Sequence, residues 1–120
     1  MIGYFLVFLG GGFGSMCRYG IAHLLARLNW TFPAATLLAN AISCVILGAL
    51  VGLSVRSGLA GNYRLLLMTG FCGGFSTFST FSAETFHLLQ TGHIALGLLN
   101  MAASLIVCLI AIYAGIRLVG

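Results

Sequence analysis

The sequence predicts an all-α integral membrane protein: one domain over residues 1–120, four transmembrane helices, and a break in the middle of the third. Three observations point there. The chain is 61% hydrophobic and 5% charged, whereas soluble domains carry roughly 25% charged residues. Its charged residues, Arg18, Arg27, Arg56, Arg64, Glu84 and Arg117, bound uncharged runs of 17, 28, 19 and 32 residues at 1–17, 28–55, 65–83 and 85–116. A helical crossing takes about 20 apolar residues, so four fit and a fifth does not. The third observation is the stretch Thr69–Glu84, TGFCGGFSTFSTFSAE, in which Phe71, Phe75, Phe78 and Phe81 alternate with hydroxyls behind a Gly73-Gly74 pair. Paired glycines weaken a helix by about 1 kcal/mol each. Inside a membrane, broken backbone is tolerated where it is buried in protein or lines a cavity.

The first span is expected from about Gly3 to Leu25. Its GGGFGS centre has no βαβ context, which excludes a nucleotide-binding turn. Gly10 and Gly14 instead form a small-xxx-small face for close helix packing. Arg18 follows, as either a snorkelling interface anchor or part of a vestibule that gathers anions. Residues 1–17 carry no positive n-region, so a cleaved signal peptide is not expected.

Residues 26–32 form a loop with Trp30 at the interface. Pro33, the single proline, suits the first turn of a second helix running to about Val55. Thr36, Asn40, Ser43/Cys44, Gly48 and Gly52 share one face of that helix. A mid-membrane amide such as Asn40 is costly unless its hydrogen bonds are made. It either staples two helices or offers a donor to a passing anion, and spacing alone leaves both open.

Gly58, Gly61 and Asn62 mark the next loop. The third span, about Leu65–Leu89, places Thr77, Thr80 and Glu84 on one face with Phe78 and Phe81 beside it. Residues 90–93 make a turn. The fourth span, about Ile94–Ile116, carries Asn100, Ser104 and Cys108 at four-residue steps. Three spans therefore bear narrow polar stripes without an acidic–basic pair.

The net charge of +4 comes from dispersed arginines, not from the basic stripe that a nucleic-acid binder shows. The four cysteines fall one per span without metal-ligand spacing and read as small buried hydrophobes. Four crossings would place Arg56, Arg64 and Arg117 on one side and Arg27, with or without Arg18, on the other. That bias is weak by the positive-inside rule and compatible with insertion in both orientations.

Taken together, GGGFGSMCRY at 10–19, PAATLLANAISCVILG at 33–48 and GFCGGFSTFSTFSAE at 70–84 resemble the Fluc (CrcB-type) fluoride channels of microbial membranes, and the resemblance covers the whole chain. It implies an antiparallel, dual-topology homodimer in the cell membrane with two fluoride pores. It also implies a sodium ion at the dimer interface, held by backbone carbonyls at positions matching Gly73 and Ser76, where Ser76 stands for the family's usual Thr. The pore phenylalanines match Phe78 and Phe81, the pore amide Asn40, and the hydroxyl track Ser104; Cys108 stands where Ser is commoner. Thr36, Thr80 and Glu84 match pore-wall or pore-mouth polar groups. Asn100 stands where an aromatic hydroxyl often sits and is left out of the expected path.

The chemistry suits that resemblance. Fluoride is small and strongly hydrated, so a pore must replace its water with close donors. Aromatic rings have positive edges, and weak repeated contacts favour conduction over trapping. The competing reading is a proton-coupled exporter of the small multidrug resistance type, with Glu84 as carrier. Such exporters have an essential Glu in the first helix, and this first helix has none. A non-transporting helical scaffold would leave the Phe–hydroxyl ladder unexplained. No nucleophile–base or metal constellation suggests an enzyme.

Overall fold

The computed structural model describes residues 1–119, and every regular element among them is helical. Helix α1 (Ile2–Leu25) continues into a 3-10 turn, Ala26–Leu28. The chain then reverses at Asn29, whose φ of 51° is a left-handed conformation that Asn tolerates. Helix α2 (Ala34–Ser57) starts directly after Pro33. A composite helix, α3, covers residues 61–75: Gly61–Tyr63, a wider π-type coil over Arg64–Cys72, and a last turn, Gly73–Phe75. Helix α4 (Phe78–Gln90) follows, and α5 (Ile94–Val119) ends the described chain. The segments Ile2–Leu28, Ala34–Ser57 and Ile94–Val119 are each long and apolar enough to cross a membrane.

Glycines fix the packing. A Cβ on Gly10 would meet the backbone of Leu66, Gly70 and Phe71, and one on Gly14 would meet Phe71, Gly74 and Phe75. Both glycines are buried, so α1 and α3 lie backbone to backbone and run parallel, as the small-residue face predicts. The second pair is α2 with α5. Gly48 abuts the backbone of Ile112, Gly52 abuts Ile116, and Gly115 answers against Val45 and Ala49. These helices are also parallel and keep step along their length. The same step sets Cys44 beside Cys108 and Asn40 beside Ser104.

The interior between the pairs is narrow. Its buried apolar residues are Ala39, Cys72, Phe75, Leu88 and Ala111, and its buried polar residues are Thr36, Ser43, Thr85 and Asn100. Long apolar side chains point outward instead, among them Phe5, Phe8, Leu105 and Ile110. In hydrocarbon there is no gain from turning such side chains inward. Close packing of small residues and hydrogen bonds hold the helices together.

One expectation needs correction. The Gly73-Gly74 pair does not interrupt the helix: Gly73 keeps α-helical angles (φ −64°, ψ −35°), and Gly74 belongs to the last turn of α3. The interruption comes at Ser76 (φ −85°, ψ 156°) and Thr77 (φ −153°, ψ 126°), both extended. Of the two, Gly74 serves packing. Gly74 lies against the backbone of Gly11, leaving no room for a Cβ.

Candidate ion pathway

Two extended residues release backbone groups that a continuous helix would have paired, and neighbouring side chains meet the Thr77 N–H and the Gly74 carbonyl among them. The Cys72 carbonyl accepts from the Ser76 N–H at 3.0 Å, the Ser76 hydroxyl at 2.8 Å and the Ser43 hydroxyl of α2 at 3.0 Å. The Gly74 carbonyl accepts from Arg18 Nε at 3.2 Å and the Ser15 hydroxyl at 3.5 Å, both on α1. On the far side, Thr77 caps α4: its Oγ1 accepts from the Thr80 N–H at 3.2 Å, a standard helix start.

Asn40 completes the repair. Its Oδ1 accepts from the Thr77 N–H at 2.8 Å, and its Nδ2 donates to the Thr77 carbonyl at 3.2 Å. The side-chain amide thus pairs with Thr77 as a neighbouring peptide would. Asn40 staples α2 to the interruption, one of the two roles the sequence left open. The other is not closed off, because the amide carries two N–H groups and only one is engaged among the described residues.

Around this point lies a cavity of about 470 Å³. Asn40, Cys44, Ser76, Phe78, Phe81, Ser104 and Cys108 contribute to its wall, and no charged residue does. The Phe78 and Phe81 rings lie 5.7 Å apart at 43°. Phe78 is 79% exposed, so the groove is open along the side where that ring projects. Cys44 and Cys108 are half-buried and line the groove, and Cys17 is exposed, so the expectation of four buried thiols holds only for Cys72.

The other expected residues gather elsewhere. Thr36, Thr80 and Glu84 share a separate cavity of about 180 Å³ with Arg18 and Tyr19. Glu84 also borders a third cavity beside Trp30 and Pro33. Its Oε1 is buried without a hydrogen-bond partner among the described residues. Arg18 borders this space while its Nε caps the Gly74 carbonyl. A cation there favours the carbonyl end of α3, where the helix dipole is negative. The sequence carried no sign of that contact.

No cluster of three or more His, Cys, Asp or Glu that could hold a metal occurs among the described residues. Asn40 takes the Thr77 N–H, which a continuous helix would give to the Gly73 carbonyl. Gly73 is exposed, and a Cβ there would meet nothing within 4 Å. Thr77, Thr85 and Asn100 were not among the expected path residues: Thr77 and Asn100 stood in recognised stripes, and Thr85 stood in none.

Apolar helices of membrane length around an uncharged groove with an interrupted helix at its wall define a multi-pass helical membrane protein of the transport class. The family model described as CrcB-like protein, Camphor Resistance (CrcB), matches residues 5–116. The chain belongs to this family. It is 43% identical over 111 residues to a Pyrococcus abyssi protein named fluoride-specific ion channel FluC, covering 92% of this chain and 89% of the relative. Proteins of the same name from Methylobacterium sp. and Thermus thermophilus are 45% identical over 105 residues and 42% identical over 118. The first match covers 87% of this chain and 85% of the relative, and the second 98% and 94%.

Proposed function

We propose that the chain is a fluoride-selective channel that lets fluoride leave the cell passively across the cytoplasmic membrane, working as an antiparallel homodimer with two pores. One observation carries the reading: Asn40, Phe78, Phe81 and Ser104 converge on a single groove that has no charged wall residue. Donors there come singly and are partly engaged within the protein, so an anion exchanges water for several weak contacts. A fixed cation in the wall would hold it instead. The family and the names of the relatives point the same way.

In this reading α3 and α4 together form a fourth crossing. That is consistent with the parallel α1–α3 and α2–α5 pairs, since alternate crossings run the same way. The groove is open in one chain, and a second copy laid antiparallel would close it and bring Phe78 against protein. The weak arginine bias suits such dual insertion. A sodium ion between the copies would be held by the Gly73 and Ser76 carbonyls, doubled by the partner, since hard cations prefer oxygen ligands. When bound, it would supply a fixed positive charge near the groove. Phe78 and Phe81 turn ring edges to the anion, Asn40 offers its second N–H, and Ser104 its hydroxyl. Thr36, Thr80, Glu84 and Arg18 would belong to the approach to that path.

The test is fluoride release from proteoliposomes followed with a fluoride electrode, with chloride release in parallel and no proton gradient. Fast fluoride release with little chloride is expected. Transport that appears only under an imposed proton gradient would overturn the channel and favour a coupled exporter, for which the unpartnered Glu84 Oε1 is the one specific observation.

A further inference from the structure

Behind the groove wall lies a short polar chain centred on a buried amide. The Asn100 side chain on α5 is 1% exposed and does not line the groove. Its Nδ2 donates to Thr85 Oγ1 on α4 at 2.9 Å. The Thr85 hydroxyl, also buried, donates to the Phe81 carbonyl at 2.8 Å. At the amide's other end, Oδ1 accepts from the Ser104 hydroxyl at 3.4 Å. One hidden amide therefore reaches two groove positions, Ser104 directly and the Phe81 backbone through Thr85.

We infer that Asn100, with Thr85, is a positioning residue for anion passage. It sets the Phe81 ring opposite Ser104 and holds the Ser104 hydroxyl proton away from the groove until an anion draws it. The inference rests on the groove being the fluoride path.

The directions of the bonds carry the argument. The Thr85 hydroxyl has one proton, and it goes to the Phe81 carbonyl, so toward Asn100 it can only accept. That fixes the amide with Nδ2 facing Thr85 and Oδ1 facing Ser104. Oδ1 accepts only, so Ser104 must donate toward Asn100 and turn a lone pair to the groove. At 3.4 Å the bond is longer than the usual 2.5–3.0 Å of a hydroxyl–oxygen pair and is easily given up. A fluoride ion arriving beside Ser104 competes for that hydrogen bond: the hydroxyl, keeping its proton, turns briefly to the ion and then back to Asn100 Oδ1. Asn100 thereby keeps Ser104 a weak donor, and a weak donor releases its ion.

A plain structural role for the same bonds is the alternative to exclude. Thr85 returning its proton to the carbonyl one turn back is a common local habit of threonine in helices, and a buried amide between helices can be mere stapling. A staple would alter assembly and maximal rate together and leave the fluoride dependence of the rate unchanged.

The test measures initial fluoride flux against fluoride concentration in proteoliposomes for the full-length protein and its Asn100→Leu, Thr85→Val and Thr85→Ser variants. The wild type and Phe81→Ile report on the groove itself. In Asn100→Leu, the Ser104 proton is freed for the ion. The half-saturating fluoride concentration should fall about threefold or more while the maximal rate falls about tenfold. Thr85→Val, nearly the same shape without the hydroxyl, should lower the maximal rate, and Thr85→Ser should restore it. Combining the Leu and Val changes should add little to either alone. If the wild type conducts, Phe81→Ile conducts about tenfold less or lower, and both Asn100→Leu and Thr85→Val keep wild-type half-saturation and maximal rate, the positioning role is overturned and the groove stands. A wild type that passes no fluoride overturns both. Should Asn100→Leu fail to assemble, Thr85→Val decides: a wild-type maximal rate, or a rate lost together with assembly, overturns the positioning role, and a rate lost in Val with assembly unchanged and restored in Ser supports it.

Discussion

Asn40 and Asn100 are the same side chain on two parallel helices packed in step, yet they do different work. Asn40 sits half-buried on the groove wall and pairs with both backbone groups of Thr77. Asn100 is sealed behind the wall and meets only side chains, Thr85 and Ser104. An amide in an apolar medium must satisfy its donors and acceptor, but what satisfies it decides what depends on it. A partner in the backbone makes the amide part of the chain's path. A partner in side chains makes it an adjuster of groups that would remain without it. The difference ranks the consequences of disturbing each.

The largest effect is expected from Asn40→Leu. It leaves both the Thr77 N–H and carbonyl without partners, at about 1–3 kcal/mol each. Thermal unfolding in detergent should come at a clearly lower temperature, and fluoride flux should vanish. A stable, conducting Asn40→Leu protein would mean that the interruption holds itself open without the amide.

Next is the aromatic pair. Phe81→Ile keeps bulk and apolarity but removes the ring edge, whose interactions are worth about 0.5–1.5 kcal/mol each. Flux should fall about tenfold or more, with chemical cross-linking still giving a dimer. Unchanged flux in both Phe81→Ile and Phe78→Ile would take the rings out of the path.

The two glycines beside the interruption sharpen the comparison in another way. Gly74→Ala forces a Cβ into the backbone of Gly11, and overpacking of that kind costs about 1–3 kcal/mol. A lower unfolding temperature is expected. Gly73→Ala meets nothing in its own chain, so single-chain stability should hold, while dimer formation and its dependence on sodium should weaken. Equal behaviour of the two variants would argue against a second copy or a cation at Gly73.

The smallest effect belongs to Ser104→Ala, which removes one long hydrogen bond and one weak donor. Flux should fall only about two- to fivefold, in line with a single bond worth about 0.5–1 kcal/mol. Loss of all flux would make Ser104 an essential ligand and not one contact among several.

The membrane class was legible because it depends on composition alone: long uncharged runs have no soluble alternative. The glycine faces were legible as well, since Gly10 and Gly14 recur at one helical turn, and only a backbone can fill the space they leave. The groove residues Asn40, Phe78, Phe81 and Ser104 were named from the family resemblance, and they meet at one cavity. Thr36, Thr80 and Glu84 were grouped with them because helical periodicity cannot tell two cavities on neighbouring faces apart.

What the sequence by itself determined is therefore what one helix can know of itself: its length, its apolar surface, and its small or polar stripe. Tertiary structure decided where the helical run from α3 to α4 is interrupted. Two glycines lower the cost of leaving a helix, but the chain leaves it only where other groups accept what is released. Asn40 takes the Thr77 N–H, and Ser15 and Arg18 take the Gly74 carbonyl, while α1 holds Gly74 in the helix by close contact. The roles of Arg18 and Asn100 were set the same way. A polar group in an apolar medium takes its function from the partner that satisfies it, and that partner is supplied by a neighbouring element.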